Sequence, residues 1–140
     1  DGDPSRFMCA WCQGAAGIGL ARVGGLNVID SPAIRNDIQA ALQTTLQFPF
    51  QARDHLCCGN AGRAEVLLTA GIAVSERRWI DGAQRLTSSV IGQARRNGRF
   101  NTRLERGFYN PSLYQGDAGL GYQFLRLAEP KLLPSLLLFE

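Results

Sequence analysis

Two thiol-bearing stretches carry the chemistry this chain can offer. Asp54-His55-Leu56-Cys57-Cys58-Gly59-Asn60-Ala61-Gly62 puts two adjacent thiols directly before a predicted helix start. Trp11-Cys12-Gln13-Gly14-Ala15-Ala16-Gly17 puts a cysteine two residues before the same Gly-x-x-Gly. A third copy, Tyr114-Gln115-Gly116-Asp117-Ala118-Gly119, keeps the glycines and lacks the thiols. Cys9 completes a set of four cysteines in two clusters. In a chain long enough to build an ordinary core, that pattern points to metal or redox chemistry rather than a disulfide framework. A bond between the adjacent Cys57 and Cys58 would close a strained ring.

Registered on their first glycines, Cys12, Cys57 and Tyr114 are equivalent, as are Gln13, Cys58 and Gln115. If the three helix starts lie side by side around a common axis, Cys12, Cys57 and Cys58 converge. A three-thiolate set suits zinc, at roughly 2.3 Å per sulfur, and leaves the fourth tetrahedral position open. The helix amino ends are expected to favour thiolate over thiol. An incoming thiol at the open position would lose its proton and become a nucleophile.

A closed structural site made by all four cysteines is the competing arrangement. Cys9-x-x-Cys12 has the spacing of a metal knuckle, but Cys57-Cys58 does not, and Cys9 registers with Asp54 and Pro111. Buried thiols without a ligand are a further reading, and a redox Cys-x-x-Cys fits least. His55, the one histidine, either acts in the chemistry, by orienting a thiolate or shuttling a proton, or caps the helix entrance or bonds a neighbouring backbone group there. The second role needs less, because nearness in sequence does not establish reach.

The elements that must position these residues are helices. From Gly14 to Val23 the residues are small or apolar on nearly every side, which predicts a helix buried all round, ended by Gly24-Gly25. Ser31-Pro32 then starts a second helix, with Ser31 as cap and Pro32 at its first position. Its stripe is Ile34, Ile38, Leu42 and Thr45-Leu46, and Phe48-Pro49-Phe50 stops it. After Gly59 the pair repeats: an apolar helix to about Ser75, then an amphipathic one with Trp79, Ala83, Leu86, Val90 and Ala94 on one face, closed by Asn97-Gly98. Arg99 to Asn110 reads as a polar connector. Gly116 begins a third apolar helix with Leu120, Phe124 and Leu127 in phase and Tyr122, Gln123 and Arg126 as its more polar positions. The tail Leu136-Leu137-Leu138-Phe139 is expected to pack back on the core, either as an extended cover or simply as a docked hydrophobic terminus.

The glycine starts recur at offsets of 59 − 14 = 45 and 116 − 59 = 57 residues. A repeated pair of apolar and amphipathic helices predicts two layers, and the glycine pairs are expected to let neighbouring inner helices, or a ligand, approach the backbone. The net charge of +3 is mild and mixed in sign, too little to predict nucleic acid as a partner. The concentration Arg95, Arg96, Arg99, Arg103 and Arg106 reads as a solvated outer face before it reads as a holder of an acidic peptide. Asp117 reads as a residue favoured by the helix dipole rather than a base. No apolar run reaches the roughly 18 to 20 residues of a membrane span. The sequence opens Asp1-Gly2-Asp3-Pro4 without an initiator Met, which reads as a fragment.

The stretches Trp11 to Gly19, His55 to Arg63 and Gly107 to Tyr122, in this order, together resemble the carboxy-terminal part of the cyclase domain of class II lanthipeptide synthetases over nearly the full length, residues 1–140. That resemblance implies an all-α fold, an incomplete α,α-toroid with inner and outer helix rings and a zinc ion at the top of the inner ring. It implies Cys12, Cys57 and Cys58 as the zinc ligands, with Cys-Cys-Gly standing where other members have Cys-His-Gly. The implied reaction is Michael-type addition of a peptide cysteine to dehydroalanine or dehydrobutyrine, giving lanthionine thioether rings. The implied partners are a dehydrated precursor peptide, leader plus core, and the upstream dehydratase region of the same polypeptide, in the cytoplasm, with no membrane or nucleic acid. Gln13 departs from the histidine or tyrosine of some members, and the family's acid/base histidine has no counterpart in these residues. The catalytic acid is therefore unassigned, and the fragment is expected to be inactive alone. The alternative is a non-catalytic helical toroid scaffold with a structural zinc that binds peptides; a toroid hydrolase lacks an evident carboxylate pair.

Overall fold

A computed structural model describes residues 7–102 and 108–139. They form five α-helices and no strand, the one ladder-like contact being an isolated bridge between Cys9 and Gly14. Helix α1 covers Ala15–Gly24, α2 Pro32–Gln47, α3 Asn60–Ala73, α4 Arg77–Asn97 and α5 Asp117–Ala128. The boundaries follow the sequence signals. The Ser31 hydroxyl accepts the Ile34 N–H at 3.3 Å with Pro32 in the first turn, a cap worth about 1 kcal/mol. Gly98 ends α4 in the left-handed region, at φ 71°. No helix among the described residues is long and apolar enough to cross a membrane.

Helix α3 is the hub, touching each of the other four helices. Its pairing with α4, and that of α1 with α2, gives the predicted apolar and amphipathic pairs, and α1 and α5 flank α3. Every residue of α3 from Asn60 to Gly71 is buried, and each fully buried leucine there, such as Leu67 or Leu68, contributes about 1.5–3 kcal/mol. Helix α1 departs from the all-round burial its composition suggests. Only Ala16, Gly19, Leu20 and Val23 are buried, while Ile18 is exposed. Composition reports what a face tolerates; burial depends on having a neighbour on each side, and in this structure α3 has them.

Polar residues of the apolar helices point inward. Glu65 Oε1 accepts from Arg126 Nε at 2.6 Å, Thr69 Oγ1 at 2.8 Å and Ser135 Oγ at 2.7 Å. Arg126 also donates to Thr69 Oγ1 and to the carbonyls of Pro130 and Leu133. Gln123 and Arg126, read from sequence as the polar side of α5, thus lie buried, because Arg126 meets its carboxylate partner 61 residues away in the chain. Arg63 is buried too, donating to the carbonyls of Thr45, Phe48 and Pro49. It caps the carboxyl end of α2 from inside α3.

The tail is not an extended cover. It turns, with Leu138 N–H bonded to Ser135 O at 3.2 Å, and docks through buried Leu137. Part of the polar connector, residues 103–107, lies outside the described residues.

Replacing Arg126 by Ala leaves the buried Glu65 carboxylate uncompensated and is expected to cost about 3–5 kcal/mol of stability. The double change Glu65→Leu/Arg126→Met should cost markedly less. Urea unfolding of the three proteins checks this; equal losses would mean that the ion pair is not what the arginine supplies.

Candidate metal centre

The three glycine starts share one backbone device. A Cβ added at Gly14, Gly17, Gly59, Gly62, Gly116 or Gly119 would lie closer than 3.0 Å to the carbonyl oxygen of the residue six positions earlier: Met8, Trp11, Arg53, Leu56, Asn110 and Leu113. Each helix mouth is therefore covered by its own lead-in loop, tucked where a side chain would stand. This corrects the expectation that the glycines chiefly admit a neighbouring helix or a ligand, although Gly119 also faces Leu56 Cδ1.

The tucked loops are joined across repeats. Cys12 N–H donates to Cys57 O at 3.4 Å, and Cys57 N–H donates to Tyr114 O at 2.8 Å. The three positions that the glycine register made equivalent thus form one backbone chain across the amino ends of α1, α3 and α5. Side chains brace the middle loop. Asp54 accepts from Asn60 Nδ2 at 3.2 Å and from Asn101 N–H at 2.8 Å. Asn60 exchanges bonds with Gln51, and Gln51 Nε2 reaches Cys9 O at 3.0 Å. In the third repeat Asn110 Nδ2 bonds Thr102 O and Gln115 O.

The result is a sulfur cluster: one ligand atom each from Cys12, Cys57 and Cys58, all within 4.8 Å of one another. Cys12 is exposed and the other two are half-buried, so the cluster faces outward. Partial burial is the main cause that pushes all three thiols above their ordinary value; among the sulfurs the effects are mixed, with repulsion raising each thiol while hydrogen bonding to Cys12 lowers Cys57 and hydrogen bonding to Cys57 lowers Cys58. The Gln115 side chain acts on Cys57 in the lowering direction, as Arg53 does on Cys58. Three adjacent soft donors within this distance fit a soft divalent metal.

Cys9 is outside the cluster, buried, with its thiol donating to Thr45 Oγ1 at 3.7 Å. His55 takes the simpler of its two predicted roles: its Nδ1 accepts the Cys58 N–H at 3.4 Å, and burial holds it below the usual imidazole value, with Arg53 adding to the effect. Gln13 is exposed. Asp117, in the first turn of α5, accepts from Thr102 Oγ1. Arg95, Arg96 and Arg99 are exposed, as a solvated face requires; Arg103 and Arg106 lie outside the described residues.

A family model, lanthionine synthetase C-like protein, matches residues 1–138. The chain belongs to this family. No curated protein and no solved structure matches it significantly. In this lanthionine synthetase C-like chain the thiols singled out from sequence are brought together, while the residues that hold them were not foreseen. Gln51, Asn60 and Asn101 look like ordinary loop and helix-start residues, and only Tyr114 and Gln115 carried a signal, through their register with Cys57 and Cys58.

Binding of a metal to three thiols held above their ordinary value releases three protons. Apparent affinity for Zn²⁺ should therefore rise with pH below the thiol range, by roughly tenfold per thiol per pH unit. Competition titrations over about pH 6 to 8 should show a steeper rise for the native protein than for Cys12→Ser. Cys9→Ser should leave the dependence unchanged; a shallower one would put Cys9 in the ligand set.

Proposed function

We propose that these residues are the carboxy-terminal, metal-binding part of a lanthionine synthetase C-like cyclase domain in a class II lanthipeptide synthetase, with further helix pairs of an α,α-toroid upstream. The observation that carries this is the outward-facing cluster of Cys12, Cys57 and Cys58 in a chain of this family. The resident metal is zinc, held by these three sulfurs. Bound there, it would supply Lewis-acid activation of a peptide cysteine for addition to dehydroalanine or dehydrobutyrine. In that addition the thiol proton leaves, sulfur bonds the β-carbon, and the α-carbon takes a proton.

The chain's own residues account for part of this work. The tucked loops fix the donors, and the exposed side of Cys12 leaves room for a dehydrated precursor peptide. His55 is buried and accepts the Cys58 N–H at Nδ1, which sets it back from a peptide at the exposed side of the cluster; we assign the acid that reprotonates the α-carbon to a group upstream, so residues 1–140 alone should form no ring. The separation of Cys9 from the cluster speaks against a closed four-sulfur structural site.

Metal analysis of the intact polypeptide should find one zinc per chain, lost in Cys57→Ser. Cys58→His replaces a thiolate by a neutral donor, which leaves the bound substrate sulfur less electron-rich, and single-turnover ring closure on a dehydrated peptide should slow by about tenfold or more. Unchanged single-turnover rates would sink the three-thiolate account, and ring formation by residues 1–140 alone would refute the upstream acid.

A further inference from the structure

The third repeat has no thiol at the ligand position, and the residue found there touches both halves of the ligand set. Tyr114 O accepts the Cys57 N–H at 2.8 Å. Its ring stacks on Trp11, with centroids 5.6 Å apart and planes within 7°, and Trp11 immediately precedes Cys12. Trp11 is also held by its own loop, where Ala10 and Gln13 exchange backbone bonds and the Trp11 carbonyl tucks against Gly17, and by the tail: its indole N–H donates to Leu137 O at 3.1 Å, and the Phe139 ring lies 6.0 Å away.

Cys12 needs such help more than its partners do. Its backbone link to Cys57 is long, at 3.4 Å, and it is the exposed member of the cluster. Cys57 and Cys58 sit in a loop braced by Asp54, Asn60 and Asn101. The braced loop therefore supplies two sulfurs, and the set becomes three only if the Trp11-Cys12 segment stays over it.

The geometry points to Tyr114 as a positioning residue for the metal centre: its ring, stacked on Trp11, keeps Cys12 within reach of Cys57 and Cys58. This rests on the metal site proposed above. A flat ring against an indole restrains tilt as well as distance, which an aliphatic side chain does not. Partners of this kind, which orient a ligand without touching the metal, typically change metal affinity by about 10–100-fold when removed.

The test uses Co²⁺ as probe in the intact polypeptide. Native protein should show thiolate-to-cobalt charge-transfer absorption of three sulfurs. Tyr114→Ala keeps the backbone carbonyl and loses the ring; it should bind Co²⁺ and Zn²⁺ about tenfold or more weakly and lose about one sulfur's share of the absorption, with helix content unchanged. Tyr114→Phe should restore both. If the alanine protein does not fold, Tyr114→Leu, which fills the space without a flat face, should show the same loss. Native affinity and absorption in a folded Tyr114→Ala or Tyr114→Leu protein overturn the positioning role alone. Absence of thiolate absorption in the native protein overturns the metal site itself, and the positioning role with it.

Discussion

The close approach of each lead-in loop to its own helix mouth is the constraint on which the site depends. A carbonyl oxygen lies where a Cβ would be, twice in each of three repeats. Without it the residue two places before the first glycine would be free to swing with its loop. With it, Cys12, Cys57 and Tyr114 come near enough to share a backbone chain. The thiols are thus placed by main-chain packing, which is stiffer than side-chain packing because it leaves few rotamers to choose from.

Behind the mouths, α3 carries an unusual share of buried polarity for a helix at the centre of a core. Asn60 braces the thiol loop, Arg63 closes the end of α2, and Glu65 gathers Arg126, Thr69 and Ser135. Buried charges of this kind add little net stability when paired, yet they discriminate strongly against other packings, because a shifted register leaves them uncompensated. The thiol loop, the helix pair and the tail are in this way tied to a single axial position of α3.

The helices, their order and the three converging thiols were legible in the sequence, because capping, periodicity and a repeated glycine pair are local signals. Ser31-Pro32 and Asn97-Gly98 mark their boundaries without any tertiary knowledge. What was not legible depends on distance in the chain. Arg126 looks like an outward residue until Glu65 is brought to it, and Asn101 looks like linker until Asp54 accepts its N–H. The exposure of α1 is likewise not legible, since an apolar helix does not state how many neighbours it has. The tail's turn and its bond to Trp11 rest on the same kind of distant contact.

The electrostatics of the thiols explain why such restraint is concentrated at this end of the molecule. Each sulfur is held above its ordinary ionisation range chiefly by partial burial. Three thiolates within 4.8 Å repel one another, so ionising the set drives it apart unless a cation is bound or the scaffold resists. Flexible side chains on an unbraced loop would relieve the repulsion by spreading, and the donor set would be lost before a metal arrived. Cys57 and Cys58 cannot spread far, because their loop is tucked against Gly59 and Gly62 and bonded to the third repeat through Tyr114. Cys12, coming from another repeat, relies on the first loop's own tuck and on the aromatic stack of Trp11 with Tyr114. The rigidity of the helix mouths and the difficulty of ionising the thiols are therefore two sides of one arrangement: the scaffold keeps together charges that only a cation can neutralise.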